Sequence, residues 1–238
     1  MARTRAAGHA AKDQDIEKSP SLVDGAYAAL KQAILDSSFA PGYHASEQEI
    51  ALRLGMSRTP VHEAVIRLQE DGLVRVLSRR GVLICALAPD DVREIYDVIV
   101  AIEGRAAELL ADQPDAGREA VAAALAAETE AMSQAWRRGD LPAWGLADAR
   151  FHKALVERAG NGRMTRIIQT INDQSHRARM LTLKLRRELE ASVEEHRAII
   201  AAILEGDPAK ALARVHDHRL RARDELLPLL DSFGLKHL

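Results

Sequence analysis

The chain has 238 residues, a formal net charge of −2 and 47% hydrophobic residues, so it can form one large or two small domains. No apolar run approaches the ~18–20 residues that a membrane-spanning helix needs, and the N-terminus lacks the apolar core of a secretory signal. Cys85 is the single cysteine, which excludes an internal disulfide and is typical of a reducing compartment. We therefore expect a cytoplasmic protein with no membrane partner.

The first elements of the chain are a tail, a helix and a turn. Residues 1–20 are small, polar and charged without periodicity, and we expect them to form a flexible tail. Apolar spacing next predicts a helix over residues 22–35. Its buried stripe should contain Val23, Tyr27, Leu30, Ile34 and Leu35. Pro41 and Gly42 predict a turn after it.

Two short helices are predicted between residues 47 and 72. Ser46 caps the first, with Glu49 three residues later in the capping-box arrangement, and Gly55 ends it. Ser57 caps the second, whose apolar positions again have helical spacing. Two short helices joined by a tight turn that contains glycine form a helix-turn-helix, whose second helix enters the DNA major groove. The outward-facing residues at the start of that helix are Arg58, Thr59 and His62.

A β-hairpin should follow the helix-turn-helix. Residues 73–77 and 81–85 are β-rich runs separated by Ser78-Arg79-Arg80-Gly81, which predicts a hairpin with a basic tip and completes a winged helix. The first 88 residues carry 11 Lys and Arg against 10 Asp and Glu, so this part of the chain has almost no net positive charge. Local clusters such as Arg79-Arg80 must therefore supply phosphate contacts.

The remainder of the chain, residues 89–238, is predicted to be all helical. Helix-starting and helix-ending residues separate six amphipathic segments. The predicted helices span residues 90–111, 116–138, 141–159, 164–185, 188–204 and 208–227, the last with Asp207 as its cap. The fold class is therefore mainly α, with a winged helix-turn-helix over residues 21–88 followed by a six-helix bundle that is long enough to bury its own core.

Four side chains of the bundle have a spacing that suits a divalent metal ion. Asp148 and His152 are four residues apart, so they lie on one face of a helix. His196 lies on the fifth predicted helix of the bundle and His218 on the sixth. Helical bundles often hold a metal ion in the core, between side chains of facing helices. Spacing alone leaves the alternative open that these are a surface Asp–His pair and two histidines at helix edges.

The first third of the chain resembles the DNA-binding domain of the GntR family of bacterial transcription regulators. The resemblance covers about residues 22–87 and rests on Phe39-Ala40-Pro41-Gly42, Ser57-Arg58-Thr59-Pro60-Val61 and Asp71-Gly72-Leu73-Val74. It implies DNA contacts from the helix-turn-helix and the wing. The predicted DNA-binding residues are Gln48, Ser57, Arg58, Thr59, His62, Arg79, Arg80 and Gly81. The family usually has arginine at the position of His62, so a bidentate guanine contact is lost here.

The bundle is similar to the FCD effector domain of the FadR-type branch of that family, with the six-helix count of the VanR-type subgroup. The segments that carry this resemblance are 148–152, 159–161, 195–199, 205–207 and His218. The metal ligands of the family map onto Asp148, His152, His196 and His218, which implies a bound divalent ion, with zinc first and nickel or manganese as alternatives. At Glu103, where the family often has glutamate, we expect a structural role.

The resemblance also implies a small carboxylate effector held at the metal. Many relatives add an arginine four residues before the position of Glu103, but this chain has Ile99 there. We expect Arg177 or Arg179 to replace that anion contact, or a less charged effector. The predicted protein is a homodimeric regulator, a repressor by the commoner pattern of the family, that binds an inverted-repeat operator. The alternative is a regulator for which the metal itself is the signal. An enzyme is not expected, because Glu195 adjoins His196 and projects about 100° away from it on the helix.

Overall fold

The computed structural model of the chain describes residues 21–78, 80–186 and 189–232. The predicted tail and Arg79 at the tip of the hairpin lie outside these described residues. The order of the elements is α1 (Leu22–Leu35), β1 (His44–Ala45), α2 (Glu47–Leu54), α3 (Arg58–Glu70), β2 (Val74–Leu77), β3 (Gly81–Ile84), α4 (Pro89–Ala111), α5 (Asp115–Arg137), α6 (Leu141–Arg158), α7 (Gly162–Thr182), α8 (Leu189–Glu205) and α9 (Pro208–Ser232). The mainly helical fold class is confirmed.

The helix-turn-helix consists of α2 and α3, and its caps follow the sequence closely. The hydroxyl of Ser46 accepts a hydrogen bond from the backbone N–H of Glu49 at 3.1 Å, and Gly55 ends α2 in the left-handed conformation with φ of 65°. The reciprocal half of the expected capping box is replaced, because the Glu49 carboxylate accepts a hydrogen bond from the Tyr43 hydroxyl. Ser57 is the N-cap of α3 but makes no side-chain capping bond.

The wing is a three-stranded antiparallel sheet in the order β1-β3-β2. Val76 pairs with Val82 and Leu77 with Gly81, which gives the predicted hairpin. The strand β1 was not predicted, because two residues are too short to show an alternating pattern. Gly81 has φ of 87°, and a Cβ atom there would lie 2.5 Å from the carbonyl oxygen of Ala45, so the close pairing of β1 and β3 needs glycine.

The buried face of α1 differs from the predicted stripe. Leu30 and Ile34 are buried as expected, and Ala26 joins them. Tyr27 is only partly buried because its hydroxyl reaches outward to donate to the Asp71 carboxylate at 2.5 Å. Val23 and Leu35 are also only partly buried. Leu35 instead faces the helical domain, where it borders a cavity described below.

The second domain contains six α-helices within the described residues, as predicted. The helix α4 begins at Pro89, and the Asp91 carboxylate accepts a hydrogen bond from the backbone N–H of Ala88 at 2.8 Å. A 3₁₀ turn, Leu183–Leu185, follows α7, where the sequence predicted a continuous helix. The last helix, α9, continues past the predicted end at residue 227, through Pro228 to Ser232. No described helix is both long enough and apolar enough to cross a lipid bilayer.

The helix α7 connects the two parts of the chain. Asp173 forms an ion pair with Lys31 of α1, and the Gln174 amide donates to the backbone carbonyl of Asp71 at 2.9 Å. The guanidinium of Arg177 donates to the backbone carbonyl of Cys85, just after β3. One helix of the bundle therefore contacts α1, the end of α3 and the exit of the wing.

Candidate metal centre and nucleic-acid interface

The four predicted ligand residues meet in the core of the helical domain. The helix α6 supplies Asp148 and His152, α8 supplies His196, and α9 supplies His218. All four residues are buried, at 0–3% relative exposure. One donor atom from each lies within 4.8 Å of the donor atoms of the other three. The structure thus excludes the alternative of a surface Asp–His pair.

The three imidazole rings point their Nε2 atoms at one another. The Nε2 atom of His196 lies 3.2 Å from that of His152 and 3.3 Å from that of His218, and the remaining pair is 3.2 Å apart. The Oδ1 atom of Asp148 lies 3.6 Å from Nε2 of His152 and 3.8 Å from Nε2 of His196. Nitrogen ligands at 2.0–2.1 Å from one ion are separated by roughly 3.3–3.4 Å in tetrahedral and roughly 2.8–3.0 Å in octahedral geometry. The observed spacing falls in this range.

Two carboxylates fix the orientation of two of these rings. Nδ1 of His152 lies 3.0 Å from the Glu103 carboxylate, and Nδ1 of His218 lies 2.7 Å from the Glu195 carboxylate. A carboxylate only accepts hydrogen bonds, so each Nδ1 carries the proton and each Nε2 lone pair points at the centre. Nδ1 of His196 has no partner within the described part of the chain, and this ring instead stacks on Phe151 with centroids 3.7 Å apart.

Glu103 is fully buried and is held by Arg219 as well as by His152. The Arg219 guanidinium donates to Glu103 through Nε at 2.7 Å and Nη2 at 2.5 Å, and its own exposure is 1%. Burial by itself would raise the pKa of Glu103, but the charge of Arg219 and the contact with His152 outweigh it and hold the pKa well below its usual value. This geometry supports the expected structural role of Glu103, behind His152.

Glu195 lies behind His218. The sequence placed it away from His196, and the structure shows that it turns toward the neighbouring helix α9 instead. There it accepts from His218 and from Arg221, whose Nη2 lies 2.7 Å from the carboxylate. Sequence reasoning missed this contact because it depends on the rotation of α8 against α9. Because Arg221 holds the Glu195 carboxylate in place, this carboxylate in turn fixes the orientation of the His218 ring.

Asp148 is ionised despite its burial. Burial raises its pKa, but the nearby charge of Arg179 and the hydrogen bond with His152 bring it well below the usual value. Nε of Arg179 lies 3.5 Å from the Asp148 carboxylate. Burial, followed by the proximity of the other rings, lowers the pKa of His196 and His218 well below the usual value. The cluster therefore presents one anionic oxygen from Asp148 and, at His196 and His218, neutral nitrogens, which are the donor forms that a divalent cation requires.

A cavity of about 420 Å³ lies beside the cluster, and both His152 and Arg179 line it. Its main wall is a polar stripe on α7 with spacings of four, three, four and three residues. The stripe consists of Thr165, Gln169, Asn172, His176 and Arg179. Burial, followed by the charge of Arg179, lowers the pKa of His176 to about 4, so His176 is neutral near pH 7. The buried Oδ1 atom of Asn172 has no partner among the described residues.

The structure separates the two arginines that were predicted to bind an effector. Arg179 adjoins Asp148 and the cavity, whereas Arg177 is directed to the backbone carbonyl of Cys85. Both are buried, at 5% exposure. Ile99 is fully buried in an apolar cluster with Tyr96. The α7 stripe was missed in the sequence, although its alternating spacing of four and three polar residues was a readable signal.

The predicted DNA-contacting residues of α3 lie at its exposed N-terminal end. Ser57, Arg58, Thr59 and His62 are all exposed, and the side chain of Arg58 is 71% exposed. Glu47 of α2, which was not among the predicted DNA-contacting residues, lies between Arg58 and His62. Its carboxylate is 3.4 Å from Nε of Arg58 and 2.8 Å from Nδ1 of His62.

The wing approaches this end of α3. A cleft of about 360 Å³ is bordered by Gln48, Arg58 and Gly81, together with neighbouring residues of β2. Arg80 is exposed at the turn of the hairpin. The structure therefore brings Gln48 and Arg58 of the two helices close to Gly81 of the wing, whereas Arg79 lies outside the described residues.

Two family profiles match the chain. Residues 22–84 match "Bacterial regulatory proteins, gntR family", and residues 94–221 match "FCD domain". The chain belongs to the GntR family of bacterial transcription regulators, in the FadR-type branch that carries an FCD domain. The winged helix is the DNA-binding domain of this family, and the family members are regulators rather than enzymes.

Similar proteins are regulators as well. The chain is 54% identical over 142 residues to an HTH-type transcriptional regulator from the TAR-I ttuE-ttuC′ intergenic region of Agrobacterium vitis, covering 60% of this chain and 83% of the relative. It is 31% identical over 168 residues to a D-xylose utilization operon transcriptional repressor of Paenarthrobacter nicotinovorans, covering 69% of this chain and 71% of the relative. A GntR regulator of Rhodococcus sp. RHA1 superposes with a TM-score of 0.74 at 22% identity, over 87% of this chain and 97% of that one.

Proposed function

We propose that the protein is a homodimeric repressor whose operator affinity is controlled by a small organic acid bound at a metal ion in the helical domain. The observation that carries this proposal is the buried cluster of three histidines and Asp148, beside a cavity that is large enough for a small ligand. A relative that is named a repressor supports the sign of regulation. Helix-turn-helix dimers match a two-fold operator by their own symmetry, so the operator should be an inverted repeat.

The proposed DNA surface combines the start of α3 with the wing. Arg58, Thr59 and His62 would contact base edges, while Gln48, Ser57, Arg79, Arg80 and Gly81 would contact phosphates or position the backbone. Glu47 supports this assignment, because its carboxylate holds Arg58 and His62 side by side at the exposed end of the helix. His62 can donate a single hydrogen bond to a base where an arginine would donate two.

Replacing Arg58 with alanine is expected to weaken operator binding strongly without unfolding the protein. A specific arginine–base contact contributes about 1–3 kcal/mol, which corresponds to roughly 5–150-fold in affinity. The side chain of Arg58 is mostly exposed, so the melting temperature should remain that of the wild type. Arg67→Ala, at the opposite end of α3, is the matched control. Fluorescence anisotropy with operator DNA that shows equal affinity for wild type and Arg58→Ala would refute the recognition-surface assignment.

The donor set fits a divalent metal ion. With the Nδ1 proton of each ring directed at a carboxylate, the Nε2 atoms of His152 and His218 lie 3.2 Å apart, where a shared cation would accept both lone pairs. Asp148, His152, His196 and His218 would hold the ion, and an O and N donor set of this kind suits zinc first, with nickel or manganese as alternatives. The bound ion would supply a positive charge that attracts a carboxylate in a site of low dielectric constant.

The cavity is the proposed effector site. It reaches His152 of the cluster at one side, and Arg179 adds a cationic group next to Asp148. We therefore assign Arg179 as an effector contact. Arg177 faces the exit of the wing, so its position supports a role in joining the two domains instead.

A thermal-shift screen of small carboxylic acids tests the proposed function. It should be run on metal-loaded protein and on protein stripped with a chelator. We expect some acids to raise the melting temperature of the loaded protein and to leave the stripped protein unchanged. If the regulator instead responds to the metal itself, no acid will shift the loaded protein, and operator release will follow the concentration of added metal.

A further inference from the structure

The effector cavity is not enclosed by the helical domain alone. Three residues of α1, Lys31, Gln32 and Leu35, form part of its wall, together with His152 and Arg179 of the helical domain. The helix α1 packs against the recognition helix α3 within the DNA-binding domain. A molecule in the cavity would therefore contact the domain whose DNA affinity it is proposed to control.

Lys31 is the cationic group on the α1 side of the cavity. Its ammonium forms an ion pair with Asp173 of α7, and both side chains are about three-quarters buried, at 23% and 22% exposure. The ammonium also donates a hydrogen bond to the Tyr27 hydroxyl at 3.2 Å. A lysine that is about three-quarters buried favours an anionic partner, because burial disfavours an isolated charge. Exchange of Asp173 for another anion therefore costs less than loss of the partner.

The contacts of Lys31 continue to the end of the recognition helix. The Tyr27 hydroxyl donates to the carboxylate of Asp71, which is the C-cap residue of α3. The backbone carbonyl of the same residue accepts from Gln174, one position after Asp173 on α7. Asp71 is thus held both by α1 and by α7. A change in the pairing of Lys31 with Asp173 acts on the contacts that fix α3 relative to the bundle.

We propose that the effector carries two anionic groups and that Lys31 binds the second of them. This inference rests on the proposed function. One carboxylate lies at the metal cluster and Arg179, and the other replaces Asp173 as the partner of Lys31. Apart from Asp173, the polar α7 residues in the same wall include the neutral hydrogen-bonding groups Gln169, Asn172 and His176. Asp173 loses its partner in this exchange and, being equally buried, needs water in place of Lys31. The exchange therefore separates α1 from α7, which gives Asp173 that access to water and changes the placement of the DNA-binding domain.

The experiment compares diacids with monoacids of the same chain length. Isothermal titration calorimetry of pentanedioate and pentanoate, and of butanedioate and butanoate, is performed on metal-loaded full-length wild type and Lys31→Met. We expect at least one diacid to bind the wild type roughly tenfold more tightly than its monoacid, the effect of one added ionic contact of ~1.4 kcal/mol. The Lys31→Met variant should lose this preference while binding the monoacid as the wild type does.

Lys153→Met is the matched control. Lys153 also lines the cavity, but it belongs to α6 and pairs with Glu157 within the bundle. The diacid preference should survive this substitution. The ratio of the diacid affinity to the monoacid affinity distinguishes direct contact between Lys31 and the ligand from a structural role of Lys31. A general loosening of the fold would weaken the binding of both acids equally.

Three outcomes overturn the inference, and they are distinguishable. Equal diacid preference in wild type and Lys31→Met refutes the role of Lys31 but leaves acid sensing intact. Loss of the preference in Lys153→Met alone assigns the second anion site to the bundle. Failure of the metal-loaded wild type to bind either diacid, while a monoacid found by the thermal-shift screen does bind, refutes the dianionic effector; failure of every acid in that screen contradicts the proposed function itself.

Discussion

The double variant His152→Ala, His196→Ala is expected to retain no divalent metal and to lose the stabilisation that metal provides. Both side chains point Nε2 at the centre of the cluster, and two ligands of four remain after their removal. A metal present at ~1,000 times its dissociation constant stabilises the folded state by about 4.1 kcal/mol. For a chain of this size, that corresponds to a rise of roughly 8–16 °C in melting temperature. The wild type should show this rise on addition of metal, and the double variant should not.

Metal content by mass spectrometry after dialysis, together with melting curves with and without metal, checks this expectation. The difference between the two curves matters, since loss of two buried rings also lowers stability through packing. Asp148→Asn provides a second variant that keeps the side-chain volume and removes the anionic donor. His216→Ala is the control, because His216 lies two residues before His218 on the same helix and outside the cluster. Wild-type metal content in the double variant would show that the ion binds elsewhere.

Glu103→Gln is expected to destabilise the fold by about 3–5 kcal/mol, because it leaves the buried charge of Arg219 without its partner. The corresponding decrease in melting temperature is roughly 6–20 °C. The substitution also removes the anionic acceptor for Nδ1 of His152, which should weaken metal binding by about 10–100-fold.

A double-mutant cycle can show whether the unpaired charge of Arg219 causes the loss of stability in Glu103→Gln. Arg219→Met in the Glu103→Gln background removes the unpaired charge, so much of the lost stability should return while metal affinity stays low. Glu128→Gln is the matched control, because it breaks an exposed ion pair with Arg150 and should cost only ~0–1 kcal/mol. A Glu103→Gln protein as stable as the Glu128→Gln protein would contradict the importance of the buried pair.

The same ion pair predicts a pH dependence. The pKa of Glu103 is lower in the folded chain than in the unfolded chain. The folded state therefore binds this proton more weakly, and the contribution of the pair is complete above the usual carboxyl pKa and declines as the pH falls below it. Urea unfolding of metal-free protein should show that the gap in stability between wild type and Glu103→Gln is constant near neutral pH and narrows in acid.

Local signals predicted most of the fold. Helix ends such as Gly55 and Pro89 depend on neighbouring residues alone, so α2 and α4 begin and end within a residue or two of the prediction. The strand β1 could not be predicted because two residues acquire strand geometry only by pairing with β3. Tyr27 was placed in the core by its spacing, whereas its hydrogen bond to Asp71 involves a residue 44 positions away.

The metal cluster was predictable because spacing and family resemblance pointed to the same four residues. The residues behind it were less accessible to sequence reasoning. Glu195 reaches His218 only through the packing of α8 on α9, and Lys31 reaches the cavity only through the contact of α1 with α7. Arg177 and Arg179 are two residues apart on one helix, so they project to different sides, and the sequence could not say which side faced the cluster.

The measurement that tests the account most directly is the affinity for operator DNA under three conditions: metal-loaded protein, metal-loaded protein with an acid selected by thermal shift, and metal-stripped protein with the same acid. We predict that the acid changes the operator dissociation constant of the loaded protein by roughly 5–150-fold, the range of a coupling free energy of about 1–3 kcal/mol. The same acid should leave the operator affinity of the stripped protein unchanged. An operator affinity that follows metal concentration and ignores every bound acid would contradict the account.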